Sequence, residues 1–218
     1  MFSGIVQTKL ILQEVNKQTD FASLVYTFPA EMGKGLKLGA SVANNGVCLT
    51  VRTLSENPDG SFHVTFDAIA QTLKLTNLSD LSAGDEVNIE RASCFGDEIG
   101  GHVVSGHIFG CVRALEVEQD ALNMKIIFER PKELRPYLLN KGFVGLNGCS
   151  LTIAEVTNET FSVCLIPETR DVTTFGKTQV GDRINLEIDP STQATVDTIK
   201  ELMASGQLAE LIETVKNA

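Results

Sequence analysis

No apolar run approaches the roughly 18 residues that a membrane-spanning helix requires. The start, Met1-Phe2-Ser3-Gly4, lacks a basic stretch followed by a long hydrophobic one. A cytoplasmic protein is expected. Positive charge is also scarce: 18 Lys and Arg stand against 28 Asp and Glu in 218 residues, a net charge of −10. That excludes nucleic-acid binding through a basic footprint. There is no C-x-x-C pair. Cys48, Cys94, Cys111, Cys149 and Cys164 are odd in number and widely spaced, so neither a disulfide framework nor a zinc site is indicated, and no metal is expected. With 43% hydrophobic and 21% charged residues, the chain can bury a core and has room for one large domain or two small ones.

The sequence contains itself twice. Asn45-Gly46-Val47-Cys48-Leu49-Thr50-Val51 aligns with Asn147-Gly148-Cys149-Ser150-Leu151-Thr152-Ile153 at a spacing of 102, which also relates Ser3-Gly4 to Ser105-Gly106. Phe62-His63-Val64 matches Phe161-Ser162-Val163 at 99, and Gly84-Asp85-Glu86-Val87-Asn88-Ile89-Glu90 matches Gly181-Asp182-Arg183-Ile184-Asn185-Leu186-Glu187 at 97. The spacing shrinks around Glu56-Asn57-Pro58-Asp59-Gly60, a turn-forming cluster opposite the shorter Thr157-Asn158-Glu159-Thr160. Four blocks in one order, with the length change confined to turns, point to internal duplication.

Each copy reads as strands. Val42 to Val51, Ser61 to Ala68, Glu86 to Glu90, Phe161 to Pro167 and Arg183 to Ile188 are short, rich in β-branched residues and bounded by Gly, Asn, Asp or Pro. Turn signals about every ten residues favour one small closed barrel or sandwich per copy over a parallel βαβ sheet. After Pro190 the period changes: Val196, Ile199, Leu202 and Met203, then Leu208, Leu211, Ile212 and Val215, describe an amphipathic helix interrupted at Gly206. Its apolar stripe caps a barrel or pairs with copies of itself.

The Asn-Gly-x-(Cys/Ser)-Leu-Thr loop is small enough for backbone amides and the Thr50 and Thr152 hydroxyls to approach a flat polar ligand; Asn-Gly is equally a hairpin-turn signature. Each copy holds a second polar loop, Asp67-Ala68-Ile69-Ala70-Gln71-Thr72 and Leu165-Ile166-Pro167-Glu168-Thr169-Arg170. Two such loops per barrel make a pocket rim. Cys48 is a candidate nucleophile, set against the commoner role of a free cysteine as a small buried hydrophobe. His102 and His107, five apart on an expected strand, point to opposite faces and are poor joint metal ligands; either is an acid–base candidate. His63 is read as solvated or core. Asp189, before Pro190, caps the tail helix or orients a catalytic group.

Met1-Phe2-Ser3-Gly4-Ile5-Val6, Asn45-Gly46-Val47-Cys48-Leu49-Thr50, Gly100-Gly101-His102-Val103-Val104-Ser105-Gly106-His107, Ser150-Leu151-Thr152, Ile166-Pro167-Glu168-Thr169 and Asn185-Leu186-Glu187-Ile188-Asp189 together resemble the riboflavin synthase alpha-chain family over nearly the whole sequence. The resemblance implies an all-β fold: two tandem six-stranded Greek-key β-barrels over 1–97 and 98–189, then a C-terminal helix over 190–218 that helps assemble a homotrimer. It implies a transferase without metal or organic cofactor, in which two molecules of 6,7-dimethyl-8-ribityllumazine dismutate by four-carbon transfer to riboflavin and 5-amino-6-ribitylamino-uracil. Facing barrels would come from different subunits. The implied partners are this small-molecule substrate and further copies of the chain, with association with lumazine synthase left open; nucleic acid and membrane are not among them.

By resemblance, Gly4-Ile5-Val6, Gly106-His107-Ile108, Cys48-Leu49-Thr50, Ser150-Leu151-Thr152, the loops Asp67 to Thr72 and Leu165 to Arg170, and Lys141 contact the ring or ribityl chain. Within the repeat Ser41 faces Phe143, Asn44 faces Leu146 and Cys48 faces Ser150. Ser41, Cys48 and His107 are expected to activate a nucleophile or to stabilise addition at ring carbon 7 of one lumazine, while the other loses a proton from its carbon-7 methyl. Ser150 and Asp189 complete the candidate catalytic set. Two positions depart from the family's pattern: Ala70-Gln71-Thr72 stands where Lys-Glu-Thr is frequent, and Asn147, which matches Asn45, stands where Asp is. The competing class is a non-catalytic lumazine- or flavin-binding protein of the fluorescent antenna or sensor kind.

Overall fold

A computed structural model describes residues 1–120 and 122–209. Strands β1 (Thr8–Gln18), β2 (Phe21–Phe28), β3 (Ser41–Asn44), β4 (Val47–Glu56), β5 (Phe62–Ile69) and β6 (Glu86–Arg91) close into one antiparallel barrel in the order β1-β2-β5-β4-β3-β6. Strands β7 (Gly110–Gln119), β8 (Met124–Glu129), β9 (Phe143–Leu146), β10 (Cys149–Val156), β11 (Thr160–Leu165) and β12 (Arg183–Ile188) close a second. Its order repeats the first strand for strand. Short helices α1 (Ala30–Gly33), α2 (Ala70–Leu75) and α3 (Pro167–Val172) lie in the connections, and α4 (Pro190–Ala204) follows β12. No helix among the described residues is long and apolar enough to cross a membrane.

Period-two alternation decides which side chains fill each barrel. Along β4, Val47, Leu49 and Val51 turn inward while Cys48, Thr50 and Arg52 face out. Register slips fall at Leu12/Glu14 and Val51/Thr53, and at the repeat-equivalent Ala114/Glu116 and Ile153/Glu155. Such bulges bend the long strands so that the sheets close without free edges. The interiors are aromatic: Tyr26 meets Phe66 edge-on at 5.9 Å in the first barrel, and Phe128 stacks on Phe161 at 5.3 Å in the second. Tyr26 occupies the position of Phe128, and its buried hydroxyl has no hydrogen-bond partner among the described residues; burial pushes the phenol far above its ordinary value.

Three sequence expectations are corrected here. The run from Val42 to Val51 is two strands, because Asn45 (φ 46°) and Gly46 (φ 79°) adopt the left-handed pair that a tight hairpin needs, as do Asn147 and Gly148. The strand from Phe161 stops at Leu165, and Pro167 opens α3, where its missing N–H costs nothing. Register also shows the spacing to be 97 already within β5 and β11, since Val51 pairs with Phe66 and Ile153 with Val163. All the extra residues of the first copy therefore lie in the β4–β5 turn. Helix α4 ends at Ala204 and Gly206 (φ 78°) interrupts it as expected; Leu211, Ile212 and Val215 lie outside the described residues.

The barrels are joined back to back across a local two-fold relation. The Asn-Gly turns meet there: a Cβ on Gly46 would come within 2.5 Å of the Gly148 nitrogen. Around them runs a buried amide network. Asn88 N–H donates to Asn45 Oδ1 and Asn185 N–H to Asn147 Oδ1, both at 2.9 Å, while Asn88 Nδ2 donates to the Asn147 carbonyl at 3.0 Å and Asn185 Nδ2 to the Asn45 carbonyl at 2.8 Å. The Asn45 and Asn147 side chains accept from the last strand of their own barrel, while those of Asn88 and Asn185 reach across to the other, so a slipped docking would leave buried polar groups unpaired. Asn147 thus belongs to the interface and repeats Asn45.

The leading segments are exchanged. Val6 packs in the core of the second barrel, and Ile108 against that of the first.

Candidate functional site

The exchange builds two rims. On the first barrel, the Cys48 N–H donates to the Gly106 carbonyl at 2.9 Å; on the second, the Ser150 N–H donates to the Gly4 carbonyl at 2.7 Å. Gly106 (φ 82°) and Gly4 (φ 72°) are required, because a Cβ would lie 2.5 Å from Cys48 Cβ in one case and 2.6 Å from Ser150 Cβ in the other. Buried carboxylates hold both segments. Glu90 Oε1 accepts from the Ser3 N–H and hydroxyl, each at 2.7 Å. Glu187 does the same for Ser105, at 2.6 and 2.7 Å, and its second oxygen also accepts from the Gly106 N–H at 3.0 Å. The second oxygen of Glu90 has no such partner among the described residues. Burial raises the Glu90 pKa against the Ser3 hydrogen bonds, which pull it down.

The first rim encloses a cleft of about 560 Å³ lined by Leu38, Gly39, Cys48, Thr50, Arg52, Asp67, Ile69 and Thr72. Arg52 Nε sits 3.4 Å from Asp67 Oδ2. Ser41, half-buried on β3, lies opposite Thr50, and Cys48 lies opposite Ala43. His107 is exposed; its backbone N–H bonds Ser105 Oγ at 3.2 Å, and its imidazole makes no hydrogen bond among the described residues.

The second rim holds the closer polar cluster. His102 Nδ1 lies 2.6 Å from Ser150 Oγ, and the His102 N–H donates to the same oxygen at 3.1 Å. Phe143 stacks flat on the imidazole, with centroids 5.0 Å apart and planes at 15°. His102 is only 7% exposed; burial lowers its pKa and the nearby Asp189 carboxylate opposes that. Burial therefore favours the neutral ring. Asp189 Oδ2 caps α4 by accepting from the Thr192 N–H at 2.7 Å. It fills the capping role read from sequence and also acts on the histidine's charge. Lys141 takes φ 64° where the first copy has Gly39, a costly conformation for a side chain. Thr152 faces outward, and Ile166 is 64% exposed, as Ile69 is 61% exposed across the repeat.

Several candidate contacts fall elsewhere. Leu49, Ala68, Leu151 and Leu165 point into the barrel cores, and Val6 into the other barrel's core, so only their backbones reach a rim. The Asn-Gly turns face the interface, away from both rims. Gln71 and Ala70 are exposed on α2, Glu168 is exposed on α3, and Arg170 turns aside to Asp171 at 2.8 Å. His102 and His107 do not alternate on a strand: residues 100–109 form a loop pinned by one bridge between Phe2 and Val104. Of the two histidines offered as acid–base candidates, His102 is the one placed against a hydroxyl. In sequence it stands beside Gly101, whose backbone comes close to another segment: a Cβ there would meet the Ser3 carbonyl at 2.4 Å. Arg52 lines the first cleft and Phe143 borders the second rim. The five cysteines are free, and no metal-ligating cluster occurs among the described residues.

A lumazine binding domain family model matches residues 3–92 and 105–189. The chain is 46% identical over 210 residues, 96% of each protein, to the riboflavin synthase of Escherichia coli (strain K12), and 41% identical over 205 residues to that of Chlamydia pneumoniae, covering 94% of this chain and 98% of the relative. Among solved structures it is similar to LumP complexed with riboflavin (27% identity, TM-score 0.78, 86% of this chain and 99% of that one). It is likewise similar to LumP complexed with 6,7-dimethyl-8-(1'-D-ribityl) lumazine (28%, TM-score 0.76, 86% and 98%).

Proposed function

The chain belongs to the lumazine-binding domain family, and from that premise we propose that it is a riboflavin synthase, a transferase that moves a four-carbon unit between two molecules of 6,7-dimethyl-8-ribityllumazine. The observation that carries the reading is the pair of rims, alike in backbone and unlike in chemistry. One substrate must act as donor and the other as acceptor, so the enzyme needs two related places that treat the same molecule differently. The products are riboflavin and 5-amino-6-ribitylamino-uracil.

Residues 1–97 and 98–189 supply the two lumazine-holding barrels, each completed by the leading segment of the other, and the tail from Pro190 serves assembly. The first rim positions one ring among Cys48, Thr50, Ile69 and Thr72, with Ser41 alongside. At the second, neutral His102 and Ser150 move the proton of the carbon-7 methyl. That C–H is unusually acidic because the ring delocalises the carbanion, so the base need contribute only about 10²–10⁴-fold. Holding the two rings face to face contributes more, up to roughly 7–11 kcal/mol. Both rims open outward, away from the joint between the chain's own barrels, and Leu38, Ile69 and Ile166 are 61–65% exposed. Each rim is therefore closed by a barrel of another subunit in a cytoplasmic homotrimer. Ile199 and Met203 on α4, 48% and 65% exposed, supply apolar surface for assembly. Association with lumazine synthase would be a further contact outside this site.

The test is to mix purified protein with the lumazine, adding no metal or cofactor, and follow riboflavin absorbance while sedimentation reports the oligomer. One riboflavin per two lumazines consumed is expected. Tight binding without product would replace this reading with the antenna or sensor class.

A further inference from the structure

We propose that Asp80 and Glu86 on the first barrel, with Lys177 and Arg183 on the second, choose the partner at the joint. They admit a first barrel to a second and refuse a pair of like barrels from two copies of the chain. The proposal does not depend on the riboflavin synthase reading.

Most of the joint would accept a copy of itself. Asn45, Gly46 and Asn88 recur as Asn147, Gly148 and Asn185, and the bonds that cross run from the Asn88 and Asn185 side chains to the Asn147 and Asn45 carbonyls. The exchanged Ser3-Gly4 and Ser105-Gly106 recur too, as do Glu90 and Glu187, which hold them. Two first barrels could make these same bonds, as an isologous pair does. The symmetry breaks in charge. Asp80 and Lys177 are repeat equivalents, and so are Glu86 and Arg183, at the spacing of 97. Across the two-fold each position meets the other: Arg183 Nη1 lies 2.7 Å from Asp80 Oδ2, and Lys177 Nζ 2.9 Å from Glu86 Oε1. Both pairs border one cleft between the barrels, to which the second barrel adds Arg113. As stabilisers such pairs are weak, since the Lys177 side chain is 71% exposed. Their weight lies in the alternatives. Two first barrels would set Asp80 against Glu86 twice, and two second barrels Lys177 against Arg183 twice; like charges brought face to face reject a partner that is otherwise complementary.

The test uses the full chain. Lys177→Glu with Arg183→Asp makes both sides of the joint acidic, Asp80→Arg with Glu86→Lys makes both basic, and all four changes together exchange the charges. Melting is expected to fall by about 5 °C in either half-changed chain and to return to within about 2 °C of the parent in the exchanged one. The gap should close in about 1 M salt, where screening reaches down to about 3 Å. Partner choice is read by co-expressing the acidic and basic chains and adding a carbodiimide, which joins a carboxylate to a lysine amine in contact with it. In that mixture Glu86 belongs only to the acidic chain and Lys177 only to the basic one. A linked Glu86–Lys177 peptide, identified by mass spectrometry in the band of twice the chain mass on a denaturing gel, is therefore a joint between chains, and it is expected. In the parent the same link should stay at the mass of one chain. Should either half-changed chain fail to fold alone, its recovery as soluble protein on co-expression, carrying that link, supports the proposal equally. Half-changed chains that melt like the parent, an exchanged chain that melts as low as they do, or a mixture without the link overturns it.

Discussion

Position for position, Tyr26 stands where Phe128 does, Ser41 where Phe143, Cys48 where Ser150, Arg52 where Ala154 and Asp67 where Cys164, while the bulges, the Asn-Gly turns and the Ser-Gly cradles coincide. The agreement covers what closes a barrel and docks it to its twin. Apart from the interior pair Tyr26 and Phe128, these differences lie on the outward faces of β3, β4, β5 and their counterparts. Duplication preserved the parts under steric and hydrogen-bonding constraint in both copies, and left the outward residues free to divide two roles.

The sharpest way to break this comparison is at the rims. His102→Gln or Ser150→Ala should lower turnover about a hundredfold with lumazine binding retained, within the range of general acid–base catalysis, whereas His107→Gln, on an exposed imidazole, should cost less than tenfold. Equal losses at both histidines, read by steady-state kinetics, would erase the division of labour. A smaller effect tests the shared joint. Gly46→Ala must place a Cβ 2.5 Å from a backbone nitrogen and should cost about 2–3 kcal/mol by denaturant melting; Gly60→Ala, at φ 83° but with nothing within 4 Å, should cost only the conformational strain of about 1 kcal/mol.

The two cradles sharpen it further. Glu187→Gln turns an NH₂ toward the Gly106 N–H and should cost about 1–2 kcal/mol. Glu90→Gln keeps the acceptor for Ser3 and should be neutral or mildly stabilising at pH 7. The pH dependence has a definite sign: because the folded pKa of Glu90 is raised, its contribution is present below the ordinary carboxylate value and lost as pH rises through the folded one. Glu90→Gln should flatten stability across that window, as measured by melting between pH 4 and 7. The mildest change is Tyr26→Phe, which copies the second barrel's residue and removes an unpaired buried hydroxyl; a gain of about 0.5–1 kcal/mol is expected, and a loss would mean the hydroxyl has a partner.

The duplication, the barrel class and the tail helix were legible because they rest on repetition and period, which a single sequence displays. The β3–β4 hairpin was half legible: Asn45-Gly46 announced a turn, but its burial against Gly148 is a contact between copies and leaves no local trace. Leu49 and Leu151 were taken for rim residues because they sit inside a polar motif, yet strand alternation sends them inward while Thr50 and Thr152 go out. Only His107 entered the candidate catalytic set, whereas it is His102 that meets Ser150, and the alternation expected of the two fails because residues 100–109 form a loop. The exchanged segments left only the repeated Ser-Gly as a hint, since which barrel a segment lies on is decided by docking rather than by neighbours in sequence.

That exchange has a consequence for synthesis on the ribosome. The second barrel's rim needs Gly4 and Val6, which emerge first and wait. The first barrel can close its strands once Arg91 is out, but Cys48 stays uncovered until Gly106 and Ile108 follow. At roughly 5–20 residues per second the interval is short. Within it the nascent chain carries an uncapped thiol and an open apolar edge, the moment at which a neighbouring nascent copy could supply the missing segment instead.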